Sequence, residues 1–424
     1  MSCDGNPISL LSPDKISRLL RGPVGTEVEI CIKRPGFDHE ITMKIKRAEI
    51  IIEDVSFAGF VEPGVAYVRL TGFTEKAATE LTRAYNNLGK KQEIKAFILD
   101  LRGNSGGLLE SAVEVSGVFL PKGTTVVSTK GFRDGEHSFS TNSNPLLLEI
   151  PLAVLVDGGT ASASEIVAGA LQDLDRAIII GTKTFGKGLV QKVYNIDKDS
   201  STKVKVTTAK YYIPSGRCVQ KQDYISNKSV FFNILDDSSD QYKEHTKFYT
   251  LNRRMVFEHG GITPDKIVED IEPGYVVTEL WRQSLFFNFA VKYHQDYPTL
   301  NNELKITDNI FNEFLSYVRS QDFDYKIEGE SELIKFVEIA KKKNLPTNMI
   351  NDTQQLIDQL EIIKEKSLES EKVQISRMLL DELAEKYFGS KEKIKYSFRF
   401  DKQLQTAIDV LLNSSEYKKI LAIN

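Results

Sequence analysis

Apolar and polar residues alternate in two short segments near the start of the chain, residues 26–32 and 40–45. Alternation with a period of two is typical of strands with one buried face, and Pro35-Gly36 supplies a turn between the two segments. The pattern predicts a hairpin, preceded by a short helix that begins after Ser12. One helix and two strands form a thin core, so we expect this part to be a fragment of a domain.

Between residues 60 and 275 the pattern changes to short, nearly unbroken apolar runs separated by helical patterns. Such runs are typical of strands that are buried on both faces of a parallel sheet. The predicted strands are 65–70, 96–101, 152–156, 177–180 and 201–213, and the predicted helices are 74–88, 108–118 and 164–174. Strands and helices that alternate at this spacing predict an α/β layer with right-handed crossovers.

The rest of the chain is polar and irregular over 220–265 and helical over 275–424. Three apolar stripes recur at helical spacing: Leu356, Leu360 and Ile363; Leu379, Leu383 and Tyr387; Leu404, Ile408 and Leu411. These stripes predict an all-helical C-terminal domain that is accessory to any chemistry. Its lysines and glutamates are mixed in sign, which indicates solvated faces rather than a nucleic-acid patch.

Composition excludes several classes of protein. A hydrophobic share of 41% and a charged share of 27% are those of a globular chain, and a net charge of −4 gives no reason to expect a nucleic-acid partner. No apolar run is long enough to predict an integral membrane span. The three cysteines, Cys3, Cys31 and Cys218, form no CxxC pair, so neither a disulfide framework nor a zinc site is predicted. The first residues lack the pattern of a signal peptide, and we expect either a cytoplasmic protein or a chain that has lost its leader.

A candidate nucleophile lies in residues 156–166, VDGGTASASEI, where a buried strand turns into a helix. Ser162 at such a turn lies beside free backbone N–H groups and the positive end of a helix, which can stabilise an oxyanion. Serine needs an adjacent base. The five histidines all fall in polar or loop-like surroundings, so the sequence does not support a Ser-His-Asp triad.

A lysine is the other candidate base. Lys187 stands between Gly186 and Gly188 after the next predicted strand, where burial at the sheet edge would favour the neutral amine that a base requires. Gln191, four residues further on, could hold that amine as an uncharged hydrogen-bond acceptor. A second glycine-rich turn, DLRGNSGG at 100–107, is a weak phosphate cradle, but its amides could complete an oxyanion hole.

Each of these features also has a purely structural interpretation. Ser162 and Glu165 have the spacing of a capping box, in which the serine only begins a helix, or Ser164 could be the cap. Gly186 and Gly188 could be ordinary turn residues. Gln191 could be a polar residue on a strand face.

Three motifs, at 100–107, 161–173 and 181–191, together resemble the carboxyl-terminal processing peptidases, which are Ser/Lys proteases with an N-terminal PDZ domain. The resemblance covers roughly 10–275. Ser105 stands where the family usually has proline. The resemblance implies these roles: Ser162 as nucleophile, Lys187 as general base, Gln191 as the residue that orients the lysine, the amide of Ala163 with Gly106 or Gly107 as oxyanion hole, and Asp173 as a supporting carboxylate.

The same resemblance implies a mixed α/β fold in three parts. A partial PDZ-like segment would occupy 1–55, a crotonase/ClpP-like α/β protease core 56–275, and an all-helical domain 276–424. The first part resembles only the second half of a PDZ domain, so we expect a truncated or processed chain.

The implied function is that of a serine endopeptidase that cleaves polypeptides near their C-termini through an acyl-enzyme, without metal or cofactor. Its polypeptide substrates would lie as an added strand along a sheet edge, and its location would be periplasmic or otherwise extracytoplasmic. Two alternatives are a catalytically inactive peptide-binding protein on the same core and a crotonase-type acyl-CoA enzyme. The acyl-CoA alternative would leave Ser162 and Lys187 without a role.

Overall fold

A computed structural model describes residues 1–50, 52–131, 135–196, 202–221, 246–258, 260–270, 273–300 and 303–423. The chain divides into two compact units. The first unit combines Met1–Ile51 with Ile271–Phe400, and the second combines Ile52–Asp270 with Asp401–Asn424.

The elements are numbered in chain order. The strands among the described residues are β1 (Ser2–Cys3), β2 (Asn6–Pro7), β3 (Glu27–Ile32), β4 (Ile41–Lys46), β5 (Val55–Glu62), β6 (Val65–Leu70), β7 (Ala96–Asp100), β8 (Thr125–Gly131), β9 (Gly135–Ser140), β10 (Leu152–Val156), β11 (Ile178–Gly181), β12 (Leu189–Asn195), β13 (Lys203–Tyr212), β14 (Lys247–Tyr249), β15 (Met255–Phe257) and β16 (Lys266–Ile267). The helices are α1 (Pro13–Leu20), α2 (Ala77–Gly89), α3 (Leu109–Ser116), α4 (Ala163–Asp173), α5 (Tyr275–Arg282), α6 (Leu285–Asp296), α7 (Asp308–Ser320), α8 (Glu330–Lys342), α9 (Thr347–Ser370), α10 (Lys372–Phe388), α11 (Ser390–Ser397), α12 (Lys402–Leu412) and α13 (Ser414–Ile420).

The second unit is built on a six-stranded sheet in the order β16-β11-β10-β7-β6-β5. All neighbouring strands are parallel except β5 and β6, which are antiparallel. The predicted strands at 65–70 and 152–156 are confirmed, 96–101 ends one residue earlier, and 177–180 lies one residue later. Continuous apolar runs located these strands because both of their faces are buried.

Helix α4 lies deep in this unit, and all eleven of its residues are buried. Small residues make this possible. A Cβ atom added to Gly169 would lie 2.6 Å from Cδ1 of Ile213 and 2.9 Å from Cδ1 of Ile262. The helix that follows Ser162 is therefore held rigidly against the core, which suits it to carry a precisely placed group.

A second, antiparallel sheet in the order β12-β13-β8-β9 belongs to the same unit. Of the predicted strand at 201–213, residues 203–212 form β13, and residue 201 lies outside the described residues. Strands β5, β8, β9 and β12 were not predicted. Most of β9 and β12 is exposed, so these segments carry mixed side chains and no apolar run that would reveal them.

The carboxyl end of the chain also belongs to the second unit. Helix α12 packs on the six-stranded sheet and buries Leu404, Ala407, Ile408, Val410 and Leu411. Residues 401–424 thus belong to the same compact unit as the six-stranded sheet, whereas the sequence groups them with the predicted helical domain at 276–424. The predicted stripe of Leu404, Ile408 and Leu411 packs against that sheet.

The first unit contains the predicted hairpin, confirmed as β3 and β4, within a small sheet ordered β2-β1-β3-β4. Only Cys3 and Val28 are buried within residues 1–50, which agrees with the expected thin core. Helices α5, α6, α7 and α10 supply most of the larger core of this unit, in which Leu379 and Leu383 are buried.

Two further expectations concern parts of the chain outside these cores. Of the polar region 220–265, residues 222–245 and 259 lie outside the described residues, and the rest includes the short hairpin of β14 and β15. On α9, Leu356 and Ile363 of the predicted stripe are exposed. No helix in the described part of the chain is long and apolar enough to cross a membrane.

Candidate active site

Three loops meet at one edge of the six-stranded sheet. Strands β7, β10 and β11 are parallel neighbours, so the loops at 101–107, 157–162 and 182–188 all leave from their carboxyl ends. In open α/β sheets this edge is where ligands usually bind. The three motifs found in the sequence therefore share one place in the fold.

Ser162 occupies a strained turn between β10 and α4. Its φ is 59° and its ψ is −117°, which lies outside the regions that a serine normally adopts. The residue is half-buried. A strained serine between a buried strand and a buried helix is typical of a nucleophile, because the turn presents the side chain above the sheet.

The turn at 101–107 is fastened to the turn that holds Ser162. Oδ1 of Asp157 accepts a hydrogen bond from the N–H of Gly103 at 2.9 Å. The carbonyl of Asn104 accepts from the N–H of Ala161 at 3.0 Å and from the Ser164 hydroxyl at 2.9 Å. Ser164 is thus occupied in holding the two turns together.

Asn104 is fully buried and organises its own turn. Its side-chain Nδ2 donates to the carbonyl of Leu70 at 2.8 Å, and its Oδ1 accepts from the N–H of Gly106 at 2.9 Å. The N–H groups of Gly107 and Ala163 donate no hydrogen bond to any other described residue. Of the predicted oxyanion-hole amides, those of Ala163 and Gly107 are available, and that of Gly106 is occupied by Asn104.

Gly106 matters for a different reason. Its φ is +95°, and a Cβ atom added to it would lie 2.7 Å from the carbonyl oxygen of Ala161 and 2.8 Å from the amide nitrogen of Ala163. Only glycine combines this conformation with this approach. The residue brings the two turns into direct contact.

Glu165 joins the serine turn to the lysine loop. Its buried Oε2 accepts from the N–H of Ser162 at 2.9 Å and from the N–H of Lys187 at 2.8 Å. Its Oε1 accepts from the N–H of Gly186 at 2.8 Å and from the Thr184 hydroxyl at 2.6 Å. Burial raises the pKa of this carboxyl, although its four hydrogen bonds act in the opposite direction. The capping-box spacing accounts for the bond to Ser162, and the bonds to the lysine loop go beyond it.

Lys187 and Gln191 are placed as follows. Lys187 is half-buried, and Gln191 is exposed on the edge strand β12, next to an irregularity in its pairing with β13. Among the described residues, no side-chain hydrogen bond joins Lys187 to Ser162 or to Gln191. Catalytic hydrogen bonds often form only when substrate is bound. The structure therefore unites the backbones of the serine and lysine turns and leaves the lysine side chain unattached to either partner.

Asp173 lies at the other end of α4, about 16 Å along the helix from Ser162 at 1.5 Å per residue. It is buried in an ion pair with Arg217 of 2.8 Å and accepts from the N–H of Ser215 at 2.9 Å. Burial raises its pKa, and Arg217 acts against that rise. Its contacts are those of a residue that supports the packing around α4.

The described residues contain no group of three or more His, Cys, Asp or Glu that could hold a metal ion. His245 and His259 lie outside the described residues. Sequence reasoning missed two side chains that contact this site, Asn104 and Tyr211, whose hydroxyl contacts the backbone of Ser162. Nothing in local spacing identifies either one, because each acts through a contact that the folded chain creates.

Comparison with known proteins shows which families the two parts of the chain are similar to. Residues 64–228 match the model of peptidase family S41, and residues 276–411 match that of the probable PDZ-protease, C-terminal helical domain. The chain is thus similar to S41 peptidases in its α/β part and to the helical domain of probable PDZ-proteases in its C-terminal part. The predicted fold class, an α/β core with a helical C-terminal part, is confirmed.

Among curated proteins, the chain is similar to several carboxyl-terminal-processing proteases. It is 42% identical over 221 residues to the carboxy-terminal-processing protease of Bartonella bacilliformis, a match that covers 51% of this chain and 50% of the relative. It is 37% identical over 252 residues to the carboxyl-terminal-processing protease of Synechocystis sp., covering 57% of this chain and 58% of the relative. The matches therefore span about half the length of these curated relatives.

Solved structures give a weaker likeness. The photosystem II D1 C-terminal processing protease is 32% identical, with coverage of 52% of this chain and 59% of that chain and a TM-score of 0.36. The putative S41 protease from Bacteroides fragilis is 16% identical, with coverage of 64% and 65% and a TM-score of 0.38.

Proposed function

We propose that this protein is a serine endopeptidase in which Ser162 is the nucleophile and Lys187 is the general base. The observation that carries the proposal is the shared Oε2 of Glu165, which accepts the N–H groups of both residues and so ties the two turns together. The strained backbone of Ser162 and the available amides of Ala163 and Gly107 support it.

The reaction would run through an acyl-enzyme. The neutral amine of Lys187 takes the proton of the Ser162 hydroxyl while its oxygen attacks the scissile carbonyl. The N–H groups of Ala163 and Gly107 stabilise the oxyanion that forms. The lysine ammonium then gives its proton to the leaving amine, and the same base activates the water that releases the acyl group.

The proposed substrates are polypeptides cut near their C-termini. The names of the two relatives described above, both carboxyl-terminal-processing proteases, support this choice. An extended chain could add to strand β12, which begins two residues after Lys187. Among the described strands, β12 has a neighbour on one side only, β13. Gln191, on that strand, is the proposed partner of the lysine amine in the substrate complex.

The direct test compares wild type with Ser162→Ala and Lys187→Ala. We expect wild type to cleave an unfolded protein and to react with a fluorophosphonate probe at Ser162, with mass spectrometry locating both the label and the cut sites. Both variants should lose at least about 10³-fold in rate, because nucleophile and base act as one unit. Lys187→Ala activity within threefold of wild type would exclude the Ser/Lys dyad.

The same experiment separates the alternatives. An inactive peptide-binding protein would bind the polypeptide without cleaving it and would leave Ser162 unlabelled. A crotonase-type enzyme would act on an acyl-CoA thioester and would tolerate Ser162→Ala. The intact pair of serine and lysine turns favours the peptidase.

We also propose that the protein works outside the cytoplasm, in the periplasm or an equivalent compartment. The family resemblance supports this location. Fractionation of cells that express the natural gene, followed by detection of the protein with an antibody, tests it.

A further inference from the structure

Tyr211 reaches the candidate active site from the second sheet. It lies on β13, and its side chain is 2% exposed. Its hydroxyl lies 3.1 Å from the carbonyl oxygen of Ser162 and also contacts the carbonyl oxygen of Lys187. One hydroxyl thus contacts the backbone of both proposed catalytic residues.

Glu165 holds the same two residues through their amides. Its Oε2 receives the N–H of Ser162 and the N–H of Lys187. In both Ser162 and Lys187, the backbone N–H therefore donates to Glu165 and the backbone carbonyl contacts the hydroxyl of Tyr211. Neither Tyr211 nor Glu165 belongs to the proposed dyad or oxyanion hole.

We propose that Tyr211 is a positioning residue, which acts together with Glu165 to set the separation of Ser162 and Lys187. The inference rests on the proposed function and deepens it, because a base can take the serine proton only from hydrogen-bonding distance. Displacement by about 1 Å can cost on the order of 10²-fold in rate.

The chemistry of the two side chains fits the task. Burial raises the pKa of the Tyr211 phenol well above its usual range, so the hydroxyl keeps its proton and can donate it to a carbonyl. The carboxylate of Glu165 only accepts, which matches the four donors around it. Glu165 satisfies four donors of the two turns, and Tyr211 shares its one proton between their two carbonyls, in a buried setting where an unpaired group would be costly.

The tyrosine ring is itself fixed. The N–H of Tyr211 donates to the carbonyl of Gly188 at 3.0 Å, one residue beyond Lys187. Its side chain packs in the main core, and its strand pairs with β8 on the far side from β12. The hydroxyl therefore has little freedom to follow a displaced turn.

Two substitutions test the inference. Tyr211→Phe removes the hydroxyl and keeps the ring. Glu165→Gln keeps the size of the side chain. Its NH2 group must face a backbone N–H at either oxygen position, because Oε2 accepts from two backbone N–H groups and Oε1 from one. Matched controls lie away from the site: Tyr417→Phe removes a buried hydroxyl that accepts from the N–H of Leu152, and Glu80→Gln alters a buried carboxylate that accepts from the N–H of Val55.

The readouts are the kcat and KM for a peptide substrate, the rate of fluorophosphonate labelling, and amide hydrogen exchange in peptides that cover 160–164 and 182–188. We expect Tyr211→Phe and Glu165→Gln to lower kcat and the labelling rate by about 10- to 100-fold with KM within about threefold. Hydrogen exchange should quicken at both turns. The two control variants should leave all of these quantities within about twofold of wild type.

Ser162→Ala, run in parallel, separates the two levels of the proposal. If wild type is as inert as Ser162→Ala, the proposed function fails and the positioning role fails with it. If wild type is active and folded Tyr211→Phe and Glu165→Gln match it, only the positioning role is overturned. If Tyr211→Phe fails to fold while Tyr417→Phe folds, the hydroxyl is structural and the positioning role is also overturned.

Discussion

A Cβ atom added to Gly106 would lie 2.8 Å from the Cβ atom of Ser162. The turn after β7 and the turn after β10 are therefore in contact at the residue proposed to be the nucleophile. Gly107 follows Gly106 directly, so the contact also brings the available N–H of Gly107 close to the serine turn. The contact requires that position 106 carry no side chain.

Gly106→Ala should abolish most of the activity. The added methyl group would collide with backbone atoms of Ala161 and Ala163, which cannot move without moving Ser162. We expect a loss of at least about 10²-fold in kcat/KM, in line with the cost of a displaced catalytic group.

Gly103→Ala is the matched control. Gly103 lies in the same turn and also has a positive φ, +68°, but no atom lies within 4 Å of its added Cβ. The Gly103→Ala variant should show only the cost of backbone strain, which lowers the free energy of unfolding by about 1 kcal/mol, and its kcat should be near normal. Equal loss of activity in both variants would mean that strain in the turn, and not contact with the serine, explains the effect.

Asp401→Asn should destabilise the second unit. Arg102 donates to both oxygens of Asp401, at 2.9 and 2.7 Å, and both side chains are largely buried. Removing the negative charge should lower the free energy of unfolding by about 2 kcal/mol, less than complete removal of a buried partner would cost. Asparagine caps α12 about as well as aspartate, so the cap should survive.

The comparison variant for Asp401→Asn is Glu416→Gln, which breaks the exposed pair between Lys266 and the same carboxyl-terminal segment. Urea unfolding of Glu416→Gln should show a change below about 0.5 kcal/mol in the free energy of unfolding.

Truncation after residue 400 should prevent the second unit from folding, because burial of five apolar side chains of α12 contributes on the order of 10 kcal/mol. A stable, fluorophosphonate-reactive truncation would contradict the packing of α12 on the sheet.

Asp381→Asn should stabilise the first unit near neutral pH. Burial raises the pKa of this carboxyl to about 6, because its neighbours Arg377 and Lys393 are offset by Glu382 and Glu385. The Oδ1 atom has no hydrogen-bond partner in the described part of the chain. The folded chain therefore binds a proton more tightly than the unfolded chain, and stability falls as pH rises from about 4 through about 6.

Urea unfolding at pH 4 and pH 7.5 checks the prediction for Asp381. The variant should exceed wild type by about 1 kcal/mol at pH 7.5, after allowance for the exposed part of the side chain. At pH 4 the gain should be small, because the folded carboxyl is protonated and carries no buried charge. A gain that does not change with pH would mean that the charge of Asp381 is not responsible.

Gln191→Glu should shift the pH–rate profile to higher pH. A carboxylate near the Lys187 amine favours the ammonium form, so a higher pH is needed to free the base. Gln191→Ala should lower the rate through lost orientation. The control is Asn195→Asp, which places a carboxylate on the same face of β12 four residues further away.

If both Gln191 variants keep the wild-type rate and profile, Gln191 is a residue of the edge strand only. Gln191 is exposed and makes no hydrogen bond to Lys187 among the described residues, so these variants decide whether it belongs to the predicted site.

Sequence alone determined the elements whose signal is local. Apolar runs located β6, β7, β10 and β11, because strands buried on both faces need apolar residues throughout. Strands with mixed faces, such as β12, escaped detection because their side chains follow no single period. Ser162 and Lys187 were selected for the same local reason, since glycine-rich turns that follow strands are visible in the residue order.

Tertiary structure alone decided which of these local features meet. The order β11-β10-β7 brings three loops to one edge, and the amide of Gly106 is taken by a buried asparagine, which leaves that of Gly107. Glu165 reaches Lys187 across 22 residues of chain, and Tyr211 reaches Ser162 across 49. Such contacts depend on strand order and packing, and neither leaves a periodic trace in the sequence.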